Sequence, residues 1–142
     1  MRLELRSPIF YRKIYQNETN LQTNLPENEE ILYCYELNPK QCQSIEPEME
    51  HFLGSLVFAG QKKGGDEQAD IVQPTVSLPQ GLYLFVQERC DQTLNQEKWL
   101  DLAIEQQKDG LWERNKLGNL LYIRFLYEDE AVVTQIFRVC LP

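Results

Sequence analysis

The C-terminal run LLYIRFLYEDEAVVTQIFRVCLP limits the fold more than any other stretch of the chain. Residues 120–128 and 131–141 are rich in β-branched, aromatic and long apolar side chains, with the charge cluster Glu128-Asp129-Glu130 between them. That pattern predicts two antiparallel strands joined by a tight turn. With Asp129 and Glu130 in the turn, Tyr127 pairs with Val132, Phe125 with Thr134 and Ile123 with Ile136 on one face. The other face pairs Tyr122 with Phe137, Arg124 with Gln135 and Leu126 with Val133. A sheet with one wet face alternates apolar and polar residues, and neither face here does so. Both faces are therefore expected to be covered: one by a helix, the other by a second sheet, a subunit or a ligand.

The helix is predicted just upstream, over residues 95–109, where Trp99, Leu100, Ala103, Ile104 and Leu111 recur at helical spacing. Asn95 suits the N-cap, Leu94 can staple against Trp99, and Gly110 reads as the stop. Earlier in the chain, Leu3 and Leu5 alternate with Arg2, Glu4 and Arg6 as in a strand, and Pro8 separates a second segment over 9–15. Residues 16–30 read as a loop and 30–37 as a strand. A second helix is predicted over 46–59, from the stripe Ile45, Met49, Phe52, Leu53, Leu56 and Val57, with Gly60 ending it. The stretch 61–70 reads as a loop tip, 71–78 as a strand weakened by Pro74, and 82–88 as a strand opened by the turn Pro79-Gln80-Gly81. The resulting order, β-β-α-β then β-α-β-β, predicts an α+β fold: a mostly antiparallel sheet with two packed helices and the hairpin in its middle. Its similar halves point to a duplicated β-α-β-β unit, although their residues do not match.

With 142 residues the chain is read as a single domain, 1–142, long enough to bury a core without staples. A net charge of −8 with no cluster of lysines and arginines argues against nonspecific nucleic-acid binding. No apolar run approaches the length of a membrane span and no signal-peptide core opens the chain, so a cytoplasmic location is expected. Cys34, Cys42, Cys90 and Cys140 are scattered, without a C-x-x-C pair, and read as reduced thiols. The lone histidine, His51, argues against a histidine-rich metal site or a two-histidine mechanism. Lys62-Lys63 precede Gly64-Gly65, the reverse of a phosphate loop. No nucleophile elbow or Cys-His arrangement is apparent. No catalytic residue, metal or cofactor is assigned, and the chain is read as non-enzymatic.

Leu78-Pro79-Gln80-Gly81-Leu82-Tyr83, the helix around Trp99, and Thr134-Gln135-Ile136-Phe137-Arg138-Val139 together resemble the gyrase-inhibitor-like (GyrI-like) domain. The same domain is the effector-binding domain of some bacterial transcription activators. The resemblance covers residues 75–142. It implies two β-α-β-β units packed into an aromatic-lined cleft that binds small apolar or cationic molecules, with a buried glutamate meeting the ligand's charge. The corresponding strand here, Leu121-Tyr122-Ile123-Arg124-Phe125, carries an arginine and no carboxylate. A neutral or anionic ligand is expected instead.

The function expected is small-molecule binding, as a sensor or sequestering protein. Tyr83, Trp99, Trp112, Tyr122, Arg124, Gln135 and Phe137 are the candidate ligand-binding residues, for a small aromatic or apolar ligand with an acceptor group that Arg124 would hold. Arg124 has an internal alternative, an ion pair with Glu88, Glu113 or Glu128. The competing reading is a protein–protein interaction module, or a homodimer, built on the apolar second face of the hairpin.

Overall fold

The computed structural model describes residues 1–14, 29–63 and 74–142. Their elements, in chain order, are β1 (Arg2–Leu5), β2 (Ile9–Ile14), β3 (Glu29–Glu36), α1 (Pro39–Cys42), α2 (Met49–Phe52), β4 (Ser55–Lys63), β5 (Thr75–Leu78), β6 (Gly81–Cys90), α3 (Gln96–Trp112), β7 (Leu117–Glu128) and β8 (Ala131–Cys140). The strands form one sheet in the order β1-β6-β8-β7-β3-β4-β2-β5, and their pairings are antiparallel. The fold is α+β, with the C-terminal hairpin in the middle of the sheet.

Leu3 and Leu5 of β1 pack in the same apolar cluster as Val76 and Leu78 of β5, although the two strands stand at opposite ends of the order. The sheet therefore curls until its ends share one core. Its inner face holds Tyr11, Leu32, Cys34, Leu78, Tyr83, Tyr122 and Phe137, all buried. On the outer face α3 lays Trp99, Leu100, Ala103 and Ile104 against Ile31, Ile123, Phe125, Val132 and Ile136. Both faces of the hairpin are thus covered by the chain's own strands and helices, so the apolar character of neither face calls for an outside partner.

The hairpin takes the register expected from alternation, from Tyr122–Phe137 through Tyr127–Val132. Asp129 and Glu130 form the turn with φ of 49° and 64°, the left-handed pair that matches the twist of two-residue hairpins. The strand expected over 30–37 is β3, and that expected over 82–88 is β6. Of the strand expected over 71–78, Thr75–Leu78 forms β5 and residues 71–73 lie outside the described residues. Of the two expected loops, residues 16–28 and 64–70 lie outside the described residues too, whereas 29–30 and 61–63 are strand, paired within the β3–β4 ladder.

Two expectations about helices need correction. Instead of a helix over 46–59, the chain makes one turn of helix, α2, and then enters β4. Gly54 separates them: a Cβ built there would stand 2.0 Å from the Glu36 carbonyl oxygen, so the two segments meet backbone to backbone. Beyond it, Leu56, Phe58 and Ala59 pair with Tyr35, Cys34 and Tyr33 of β3. Among the described residues there is one long helix, α3, and two single turns, α1 and α2, and the helix predicted over 46–59 is absent. Secondly, Gly110 does not end α3. The helix runs on to Trp112, and Arg114, at φ 61°, carries the left-handed residue beyond its end. The start is as expected, with the Asn95 side chain accepting from the Lys98 N–H at 2.9 Å.

Candidate functional site

Strand pairing places the side chains of Gln87 (β6), Gln135 (β8) and Arg124 (β7) in one row across the inner face. Leu32 of β3 lies opposite Arg124, so Glu30, two residues earlier on the same face, reaches the guanidinium diagonally. Gln135 Nε2 donates to Gln87 Oε1 at 3.2 Å, and Arg124 Nη1 donates to Gln135 Oε1 at 3.0 Å. Arg124 Nε donates to Glu30 Oε1 at 2.5 Å, and the Tyr11 hydroxyl of β2 donates to the same oxygen. Five side chains from five strands thus form one hydrogen-bonded chain. It runs from Gln87, which is exposed, to Tyr11, which is 2% exposed.

The electrostatics follow from this geometry. Burial alone would pull the Arg124 pKa down. The hydrogen bond it donates to Glu30 and the Glu30 charge outweigh it, so the guanidinium is held protonated. Burial raises the Tyr11 pKa, which Arg124 opposes and Glu30 reinforces, and the phenol remains a donor. The Arg124 and Glu30 side chains are 18% and 15% exposed, so the pair is partly desolvated.

Next to this row lies an aromatic group. Tyr83 meets Phe137 and Tyr122 edge-on, at centroid distances of 5.6 and 6.1 Å, and Phe85 meets Phe137 at 5.0 Å. The Tyr83 hydroxyl donates to the Pro79 carbonyl, tying the strand to the turn that precedes it. The structure therefore brings five of the seven candidate residues, Tyr83, Tyr122, Arg124, Gln135 and Phe137, onto one face. It separates the other two. Trp99 lies in the outer core beside Tyr35, and Trp112 is 79% exposed at the end of α3. The internal partner of Arg124 is Glu30, not Glu88, Glu113 or Glu128.

A second buried arginine, Arg138, escaped the sequence reading. It is fully buried on the outer face, where Nε donates to the Gly118 carbonyl at 2.5 Å and Nη1 donates to Gln107 Oε1 at 2.8 Å. Its Cζ lies 6.0 Å from the Phe52 ring centroid. No carboxylate pairs with it among the described residues. Burial lowers its pKa, against the opposing influence of Cys42 and Cys140. The only local signal was a cation in an apolar strand, FRVC, which also fits an edge position.

Burial raises the pKa of Cys34 to about 12 and also raises that of Cys42, so neither is an activated nucleophile. Among the described residues the four cysteines are free, and no group of three or more His, Cys, Asp or Glu could hold a metal. Nor is any described helix long and apolar enough to cross a membrane. Compared with known proteins, the chain matches no family model and no curated protein.

Proposed function

We propose that this chain is a non-enzymatic small-molecule-binding domain, a sensor or sequestering protein of gyrase-inhibitor-like type. Its ligand is aromatic or apolar, neutral or anionic, and is taken at the open end of the inner face. The observation that carries this reading is the polar row from exposed Gln87 through Gln135 to Arg124, laid beside the rings of Tyr83, Phe85, Tyr122 and Phe137. A ligand acceptor would replace the Gln135 oxygen on Arg124 Nη1, while Glu30 keeps its bond to Nε. The aromatic rings would then take the ligand's apolar body.

The strand order supports the duplicated architecture that this reading entails. Exchanging β1 with β5, β2 with β6, β3 with β7 and β4 with β8 turns the order into its own reverse. β1 pairs with β6 just as β5 pairs with β2, and the buried tyrosines Tyr11 and Tyr83 fall on the corresponding strands β2 and β6. In the second half α3 connects β6 to β7. The corresponding connection in the first half, residues 15–28, lies outside the described residues. A homodimer or interaction module on the hairpin's apolar face has no such support, because that face is already buried within the chain.

The test is a melting series with 2-naphthol, 2-naphthoate and 2-naphthylmethylammonium on the unmutated chain and on Arg124→Gln. The neutral or anionic compound should raise the melting temperature saturably, and Arg124→Gln should weaken its binding about ten-fold or more. A response to the cation alone, or to none of the three, would refute the reading.

A further inference from the structure

The polar row on the inner face has a direction as well as a composition. Arg124 is a donor with no acceptor atom, so its Nη1 fixes the Gln135 amide with Oε1 towards the guanidinium. Gln135 Nε2 is left facing Gln87, where only the Oε1 atom can accept from it. The Gln135 carboxamide therefore bridges a donor on one side and an acceptor on the other. Gln87 is exposed and Gln135 half-buried, so the Gln135 side chain can swing out to water without leaving its own polar atoms unpaired. The space it vacates keeps the same polarity: a donor at Arg124 Nη1 and an acceptor at Gln87 Oε1.

The charge of Arg124 is already compensated by Glu30, which it meets through Nε. A carboxylate in place of the Gln135 amide would gain Nη1 but set its second oxygen against Gln87 Oε1, with Glu30 on the same guanidinium. A group with an acceptor and an N–H on one carbon meets neither obstacle. The strand ladders also place a ring beside each member of the row. Phe85, Phe137 and Tyr122 stand two residues from Gln87, Gln135 and Arg124, in the same pairing order. Two residues along a strand is roughly 7 Å and returns to the same face. Phe137 and Tyr122 are buried, whereas Phe85 is half-buried, so Phe85 is the ring that a ligand can cover.

We infer that the ligand of this face is a neutral aryl primary carboxamide, the same group as the one it displaces. Its carbonyl accepts from Arg124 Nη1, its N–H donates to Gln87 Oε1, and its ring covers Phe85. This rests on the reading of the inner face as a small-molecule site, and narrows that ligand from neutral or anionic to neutral. Gln87 becomes the residue that distinguishes an amide from other acceptors, and Gln135 occupies the site until the ligand arrives.

The experiment is a calorimetric titration of the full chain with 2-naphthamide, 2-acetonaphthone and 2-naphthoate. The ketone keeps the carbonyl and the rings but puts a methyl group where the amide has its N–H; the acid keeps the shape and adds a charge. Naphthamide should bind saturably and about ten-fold or more tighter than either. Gln87→Met, a change at an exposed position, should abolish the advantage of naphthamide over acetonaphthone, whereas Phe85→Ala should weaken both alike. Gln135→Ala removes the competing side chain and should tighten naphthamide several-fold. Ketone or acid binding as tightly as the amide, an advantage that survives Gln87→Met, or weaker naphthamide binding in Gln135→Ala would each overturn the carboxamide assignment and leave the small-molecule reading standing. Binding of none of the three, with 2-naphthol also without effect, would overturn both.

Discussion

Arg124 and Arg138 belong to one hairpin, point to opposite faces, and satisfy their charge differently. Arg124 has a carboxylate partner, whereas Arg138 depends on a backbone carbonyl, an amide oxygen and a ring. Removing Arg138 orphans the Gly118 carbonyl and Gln107 Oε1 and empties a fully buried site. Arg138→Ala should therefore lose roughly 2–4 kcal/mol in urea unfolding. Arg138→Met fills the space and removes the desolvated charge, so it should lose clearly less. Equal losses would mean that the hydrogen bonds matter and the volume does not. Gln107 belongs to the same unit: its Nε2 donates to the Cys42 carbonyl at 2.7 Å and the Ser44 carbonyl at 3.2 Å, so Arg138 orients the side chain that ties α1 to α3. Legibility in the sequence differed between the two arginines for a physical reason. A cation between Tyr122 and Leu126, opposite Gln135, marks Arg124 by local alternation. Its partner Glu30 is 94 residues away and reaches it only through the β3–β7 ladder, which no local pattern reveals.

Among the elements, the hairpin turn and α3 each contain a residue whose backbone or size works against its neighbours. Glu130 adopts φ 64°, a conformation costing a side-chain-bearing residue roughly 1–2 kcal/mol. Glycine avoids that penalty but loses more entropy on folding, so Glu130→Gly should stabilise by up to about 1 kcal/mol and raise the melting temperature by a few degrees. An unchanged midpoint would show that the turn is not strained. Gly110 is the converse. Alanine there would gain about 1 kcal/mol of helix propensity. Its Cβ, however, would stand 2.5 Å from Leu84 Cδ1 and 3.0 Å from Leu117 Cδ1, both on buried side chains. Overpacking of this kind costs about 1–3 kcal/mol, so Gly110→Ala should lower the unfolding midpoint. These glycines also show where sequence reading stopped. Alternation with a two-residue turn fixes register, and the hairpin was legible pair by pair. The stripe from Ile45 to Val57 fits helical spacing, yet Gly54 brings the Glu36 backbone against it and Leu56–Phe58 join β3; periodicity in so short a run does not separate helix from strand.

At the scale of the molecule, curling the sheet encloses ionisable groups as well as rings. Cys34, Tyr83 and Tyr122 lie together on the inner face, with Tyr11 nearby, while Tyr33 lies on the outer one. Burial raises Cys34 from 9.0, and Tyr83 and Tyr33 from 10.0, each to about 12. Tyr11 and Tyr122 are raised further, burial again being the main cause. A group whose folded pKa exceeds its unfolded value holds its proton better in the fold. Its contribution is fully present below the unfolded pKa and is lost as pH rises towards the folded one. Stability should therefore be flat up to about pH 9 and fall steeply between about pH 9 and 12, as unfolding releases protons from Cys34 and the buried tyrosines together. Thermal melts between pH 7 and 12 would measure this, with tyrosinate absorbance at 295 nm recorded at 25 °C. The buried tyrosines should ionise cooperatively with loss of circular dichroism, because each must leave the sheet to lose its proton. Cys34→Ala should reduce the steepness of the fall, at the cost of a small cavity. Ionisation of all the tyrosines near pH 10, with the circular dichroism intact, would mean that the inner face is open to solvent and that the curl does not close its core.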